Sequence, residues 1–287
     1  MKNSITNTAA YKFITLNNLE QLRENLYLSF ADYPVEGTII LAEEGINLML
    51  AGSAAAIAEA KIVLAGYAEF TDLVYRDTYS ATVPFEKFRI KIKNEIVPMG
   101  IADIEPAKFT APTISPRQLK HWLDTEKDFT LLDTRNDYEV KLGSFIQSID
   151  YNIHNFRDFA MAASRVPKRE KQKPLVMFCT GGIRCEKASA LLLQRHFREV
   201  YQLEGGIINY FQQVGSVHYQ GDCFVFDYRT AITPAGTETG LTQCERCQQF
   251  VTAAQQADTH YRRGDHCIHC MPSIQQKTAT EGKTAWL

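Results

Sequence analysis

A chain of 287 residues with 45% hydrophobic and 22% charged side chains can bury a sizeable core, which excludes a disordered or fibrous protein. Length suggests two domains with room for a small appendage, and a formal net charge of −2 excludes a global field that would announce nucleic acid. No stretch approaches the run of about 20 apolar residues a membrane helix needs, and residues 1–10 lack the apolar core of a signal peptide. Seven cysteines, four of them in Cys-x2-Cys pairs, read as chemistry or metal rather than a disulfide framework, so the cytoplasm is expected.

The first hundred residues read as a small α/β sandwich. Residues 11–16 suggest a strand, after which Asn18 would cap a helix with Gln21 three positions on and Leu19, Leu22, Leu26 and Phe30 on one face. Residues 38–42 and 46–51 flank Glu43-Glu44-Gly45 as a hairpin, Ser53 opens an Ala-rich helix to about Ala65, and residues 72–77 offer another strand. The order β-α-β-β-α-β is ferredoxin-like. In residues 87–93, Phe88, Ile90 and Ile92 alternate with Lys87, Arg89, Lys91 and Lys93. Period two puts four cations on one face, which is either a solvated strand face or a stripe that contacts RNA phosphates.

Residues 101–114 carry two prolines and little periodicity and read as a linker. Ser115-Pro116 then caps a helix burying Leu119, Trp122 and Leu123. Apolar strands follow at 129–132, 174–178 and 200–203, with a helix from Cys185 to about His196. Strands alternating with helices imply a parallel sheet covered on both faces.

The strongest chemical signal is Val176-Met177-Phe178-Cys179-Thr180-Gly181-Gly182-Ile183-Arg184-Cys185. A buried strand would deliver Cys179 to the carboxyl edge of the sheet, where open α/β folds bind ligands. Gly181 and Gly182 let loop amides turn inward, the following helix adds its positive end, and Arg184 adds a permanent cation. All of these favour a thiolate. Cys-x4-Arg is tighter than the Cys-x5-Arg of cysteine phosphatases and suits a persulfide sulfur or similarly small species. Cys185 either resolves an oxidised Cys179 or packs on the first helical turn.

Cys179-x4-Arg184, Asp133-Thr134-Arg135 with Tyr138-Glu139, and Glu204-Gly205-Gly206 together resemble a rhodanese domain over about residues 113–221. More narrowly, CTGGIRCEKASALL, LLDTRNDYEVKLGSF, YQLEGGIINY and FVFDYRTAI resemble the rhodanese-domain tRNA uridine(34) hydroxylase family across nearly the whole chain. The resemblance implies oxygen-dependent conversion of wobble uridine to 5-hydroxyuridine, with tRNA, through its anticodon loop, as partner and dioxygen as cosubstrate. It makes Cys179 essential, with Thr180, Gly181, Gly182, Ile183 and Arg184 as its anion or persulfide loop. Gly143-Ser144-Phe145-Ile146-Gln147-Ser148 and Tyr210 depart from the general rhodanese pattern and weigh against plain thiosulfate:cyanide activity. Asp133 and Arg135 read as a structural ion pair.

The fold expected is therefore α/β: a ferredoxin-like α+β sandwich (1–100), a linker (101–114), a rhodanese-like parallel α/β domain (115–221) and a small Cys-rich C-terminal extension (222–287). The alternative functions are a sulfurtransferase carrying a persulfide on Cys179 and a non-enzymatic RNA-binding module. No flavin or nicotinamide fingerprint stands in the sequence, and His121, His154, His196 and His218 are scattered. Cys179 could add to C6 of uracil or carry an oxidised sulfur. Cys244-x2-Cys247-x19-Cys267-x2-Cys270 has zinc-ribbon spacing and implies a closed structural zinc site, with His260, His266 and His269 near enough to replace one ligand. Arg157, Arg165, Lys168, Arg169, Lys171 and Lys173 form a basic stretch that is a solvated loop or, on the family reading, a guide for the anticodon stem towards Cys179.

Overall fold

The structure is a computed structural model that describes residues 5–271. The first sheet contains β1 (Ile5–Phe13), β2 (Glu36–Ala42), β3 (Gly45–Gly52), β4 (Arg76–Ser80) and β5 (Phe88–Ile92), in the order β4-β1-β3-β2-β5. All neighbours are antiparallel except β2 and β5, which run parallel. Helices α1 (Leu19–Phe30) and α2 (Ala54–Ala65) cover one face, burying Leu26, Phe30, Ile57 and Leu64 against Ile39, Leu41, Leu48 and Leu50. This is the expected ferredoxin-like sandwich with a fifth strand added beside β2.

Three local expectations fail. The first strand begins at Ile5, well before residue 11. Its polar start, Thr6-Asn7-Thr8, is buried because β1 lies between β3 and β4, with the Asn7 amide bonded to Ser80 Oγ at 2.9 Å. Asn18 makes no side-chain cap bond; it sits in the left-handed region at φ 51°. Ser53 does cap α2, accepting from the Ala56 N–H at 3.1 Å. The strand expected at 72–77 forms later, as β4, after a short 3-10 turn at Ala68–Phe70.

The second sheet is parallel throughout. Its strands are β6 (Thr113–Ile114), β7 (Thr130–Asp133), β9 (Ile149–Asp150), β10 (Leu175–Phe178) and β11 (Val200–Leu203), ordered β6-β11-β10-β7-β9. β8 (Gly143–Phe145) lies outside it. Helices α3 (Pro116–Asp124) and α7 (Gly206–Val214) cover one face, where Leu131, Val176 and Phe178 point. α5 (Phe159–Ser164) and α6 (Ile183–Gln194) cover the other, where Leu132, Leu175 and Met177 point. The alternation along β7 and β10 thus feeds two cores. α4 (Asp137–Leu142) follows β7. Within the stretch read as a linker, Thr113–Ile114 pairs with β11, Ile104 and Ala111 are buried in the core under α5 and α6, and Ile114 in the core under α3 and α7. Two residues are too short a strand to leave a periodic signal.

β12 (Tyr219–Gly221) pairs with β8. The extension then holds two small hairpins, β13 (Cys223–Phe224) with β14 (Ala231–Ile232), and β15 (Thr242–Gln243) with β16 (Phe250–Val251), followed by α8 (Ala253–Gln256). It straps the two larger units together. Arg229 donates to Thr78 Oγ1 at 3.0 Å, the Tyr228 N–H to Pro84 O at 3.1 Å, and the Phe224 ring meets Tyr138 at 5.3 Å. The tail expected to be free, 271–287, lies beyond its first residue outside the described residues. Among the described residues no helix is long and apolar enough to cross a membrane.

Candidate active site

β10 is buried along its whole length and ends at Phe178, so Cys179 emerges at the carboxyl edge of the parallel sheet with only 1% of its surface exposed. The loop turns back at Gly182, whose φ of 102° suits glycine and whose N–H donates to Cys179 Sγ at 3.1 Å. A Cβ there would also strike the Tyr11 hydroxyl, at 2.8 Å. α6 starts at Ile183, two residues before the expected Cys185, so the first helical turn lies directly behind the sulfur. α7 secures the loop from the other side, its Ile207 and Ile208 N–H groups donating to the Cys179 and Thr180 carbonyls at 3.0 and 3.1 Å.

Arg184 is not the bare cation that its position in the motif suggested. Its guanidinium is buried and forks onto Glu139, at 2.7 and 2.8 Å, and the face of Phe226 lies 5.6 Å away. Glu139 is fully buried in α4 and also accepts from the Asn136 N–H at 3.2 Å. Burial opposes the Cys179 thiolate. A hydrogen bond from Cys185, the Arg184 charge and the Arg184 and Gly182 N–H groups outweigh it, and the thiol is pulled well below its ordinary range. Cys185 is the donor of that pair; burial and the neighbouring thiolate push its own thiol up. The arrangement supplies a stabilised sulfur nucleophile with a second thiol touching it.

Cys179 and its loop line a cavity of about 850 Å³ between the two sheets. The opposite wall is the helix-free face of the first sheet, with Tyr11, Phe13, Ile40, Asn47 and Met49. Tyr11 donates to Glu186 Oε1 at 3.2 Å, and Glu186 Oε2 accepts from Thr110 at 2.8 Å and Gln202 at 3.0 Å. Burial and then the charges of Glu186 and Cys179 push the Tyr11 phenol well up, so it stays protonated. A cavity of this size suits a ligand of nucleotide dimensions. It is far larger than a sulfane sulfur requires, and neither Tyr11 nor this second wall was legible in the loop motif.

Arg89 and Lys91 of β5, with Lys87 and Lys93 flanking it, continue the helix-free face, because Phe88, Ile90 and Ile92 turn towards α1 and the core. Lys87 and Arg89 line a smaller recess of about 360 Å³ that shares Met49, Phe85, Phe226 and Asp227 with the main cavity. The other basic stretch is differently placed. Residues 165–173 precede β10 and so lie at its amino end, across the sheet from Cys179. Lys173 pairs with Asp128 at 2.9 Å, Arg169 with Glu170 at 3.0 Å, and Lys171 donates to Arg195 O at 3.0 Å. Guidance towards Cys179 from this stretch is therefore corrected; Arg157, next to the cavity-lining Phe156, is the member that lies near. Asp133 and Arg135 form a fully buried pair at 2.7 Å, and Arg135 also donates to Gly143 O at 2.6 Å.

The four cysteines of the extension converge. Their sulfurs all lie within 4.8 Å of one another, with Cys247–Cys267 at 3.5 Å, Cys267–Cys270 at 3.9 Å and Cys244–Cys270 at 4.0 Å. Tetrahedral coordination at about 2.3 Å puts sulfurs about 3.8 Å apart, so the set can hold a metal ion. No histidine belongs to this cluster among the described residues; His266 instead pairs with Asp265 and His260 with Asp258.

Residues 5–96 match the UPF0176 acylphosphatase like domain, and residues 115–213 match the Rhodanese-like domain. Fold and site thus define a rhodanese-like protein whose cysteine loop is faced by a second α/β unit. A protein of Cupriavidus necator described as tRNA uridine(34) hydroxylase is 42% identical over 280 residues, which is 96% of this chain and 99% of that one. A Ralstonia nicotianae protein of the same description is 42% identical over 271 residues, 93% of this chain and 96% of that one. The chain belongs to the tRNA uridine(34) hydroxylase family. Among solved structures, a rhodanese-like domain from Anabaena sp. aligns at TM-score 0.32 and 22% identity, covering 38% of this chain and 79% of that one.

Proposed function

We propose that the chain hydroxylates the wobble uridine of tRNA at C5, with Cys179 as nucleophile and dioxygen as cosubstrate. The observation that carries this reading is a stabilised thiolate opening into a nucleotide-sized cavity, in a chain of this family. Addition of the thiolate to C6 of uracil makes C5 electron-rich, and C5 is the carbon that takes the oxygen. Overall, one oxygen atom enters the base and the other leaves as water, with two electrons and two protons from an external reductant. In this reading residues 5–100 supply the wall facing the base, 115–221 the nucleophile, 101–114 the connection and 222–271 the strap. The reaction belongs in the cytoplasm with its tRNA.

The test is mass spectrometry of tRNA nucleosides from a deletion strain with and without the wild-type gene. Loss and restoration of 5-hydroxyuridine-derived nucleosides is the expected result. Loss of a thiolated nucleoside instead would select a sulfurtransferase that carries a persulfide on Cys179.

Lys87, Arg89, Lys91 and Lys93 form the stripe that leads RNA into the cavity, since their face continues its wall. Replacing all four by Gln should weaken tRNA binding without changing Cys179 reactivity. Each phosphate contact contributes about −0.7 to −0.9 to the slope of log K against log salt, so the slope should flatten by about 3. An unchanged slope would assign the stripe to ordinary solvation.

The metal of the four-cysteine cluster is zinc, chosen by four thiolates in a closed tetrahedral set. Protein purified without chelator should carry about one zinc per chain, and the Cys244→Ser/Cys247→Ser variant almost none. Chelation should expose residues after Tyr228 to protease first, because metal binding supplies much of the folding free energy of so small a module. Equal zinc and equal protease resistance in the two proteins would remove the assignment.

A further inference from the structure

Four cationic side chains line the Cys179 cavity, and three of them are neutralised: Lys12 by Asp72, Arg184 by Glu139 and Arg229 by Asp227. The fourth is Arg76, at the start of β4. Its guanidinium has no acceptor among the described residues, and its Nε is buried without a partner. Native proteins rarely leave a buried donor unmatched, and each instance calls for a physical reason.

The guanidinium has a formed seat. It lies against Gly205, the residue capping α7, where a Cβ would come within 2.5 Å of Nη2 and 2.7 Å of Cζ. Gly205 also needs its φ of 65°, so the backbone leaves the space that the guanidinium fills. The seat adjoins the nucleophile's loop, because Ile207 and Ile208 in the first turn of the same helix donate to the Cys179 and Thr180 carbonyls. Arg76 and Cys179 thus line one cavity on either side of the start of α7, as the phosphate of a nucleotide stands beyond its base. A guanidinium is permanently charged, and its planar fork matches phosphate oxygens.

We propose that Arg76 binds the phosphate next to the ribose of the uridine whose base reaches Cys179. Arg76 is then a positioning residue that selects a nucleotide over a nucleoside and fixes how deep the base sits. This rests on the uridine reading above, but its test reads phosphate binding without turnover. Full-length wild type, Arg76→Ala and Arg76→Lys are alkylated with iodoacetamide, modification at Cys179 is followed by peptide mass spectrometry, and protection is titrated with uridine, uridine 5′-monophosphate and uridine 3′-monophosphate.

In the wild type one monophosphate should protect at a concentration at least about tenfold below that of uridine, and which one does so identifies the phosphate. Arg76→Ala should abolish that gap while leaving both the rate without ligand and the protection by uridine unchanged. Arg76→Lys should recover part of it, and keeps the test decisive if the alanine variant folds poorly. Equal behaviour of monophosphate and uridine in the wild type, or a gap that survives in both variants, overturns the proposal. A protein that shows the gap yet makes no 5-hydroxyuridine would retain the phosphate site and refute the reaction instead.

Discussion

Cys179→Ser should bring 5-hydroxyuridine in tRNA to the background of the deletion strain, a loss on the order of 10³-fold or more, the scale on which removing a covalent nucleophile acts. Serine preserves the hydrogen bond from the Gly182 N–H and changes the volume little, so the melting temperature should stay within a few degrees of wild type. What changes is ionisation: a hydroxyl does not lose its proton at neutral pH in a site that is 1% exposed, whatever surrounds it. The check is nucleoside mass spectrometry on tRNA from a deletion strain expressing the variant. Near-wild-type modification would remove Cys179 from the reaction.

Arg184→Ala should be nearly as severe, and in two separable ways. In the wild type the Cys179 thiol is pulled down to about 6, so its alkylation rate should rise with pH through that value and level off above about pH 7. Removing the guanidinium takes away a charge favouring the thiolate and leaves the Glu139 carboxylate buried nearby without its cation. Both effects push the thiol up, so alkylation of the variant should still be climbing at pH 8. Breaking a buried ion pair on one side also costs about 3–5 kcal/mol of stability. The double variant Arg184→Ala/Glu139→Gln separates the two effects: it should recover much of the lost stability and bring the thiol only part of the way back towards its wild-type value. An alkylation profile with the same midpoint in wild type and Arg184→Ala would refute the electrostatic account.

The loop was readable because its elements are local. An apolar strand, two glycines, an arginine and a helix start within ten consecutive residues already define a cradle for an anion, and the structure moves only the first helical residue, from Cys185 to Ile183. The same holds for the Cys-x2-Cys pairs, whose spacing specifies a cluster wherever they come to lie. The alternation over 87–93 likewise told which side chains share a face. It did not tell what that face looks onto.

Sequence alone determined the secondary elements with strong period, the two α/β units and the loop that cradles Cys179, because each is written in residues close together in the chain. Tertiary structure decided what surrounds that chemistry. The polar strand Thr6-Asn7-Thr8 is buried through pairing with two partners distant in sequence, and Thr113–Ile114 is a strand only because β11 lies beside it. Glu139 neutralises Arg184 from 45 positions away, and Tyr11, Arg76 and Phe226 reach the cavity from segments with no motif in common. The stretch 165–173, basic and close to Cys179 in sequence, ends up on the wrong side because a parallel strand carries its two ends to opposite edges of the sheet. Periodicity records that a face is covered or exposed, but not which distant segment covers it; that depends on how the two sheets close around one cavity.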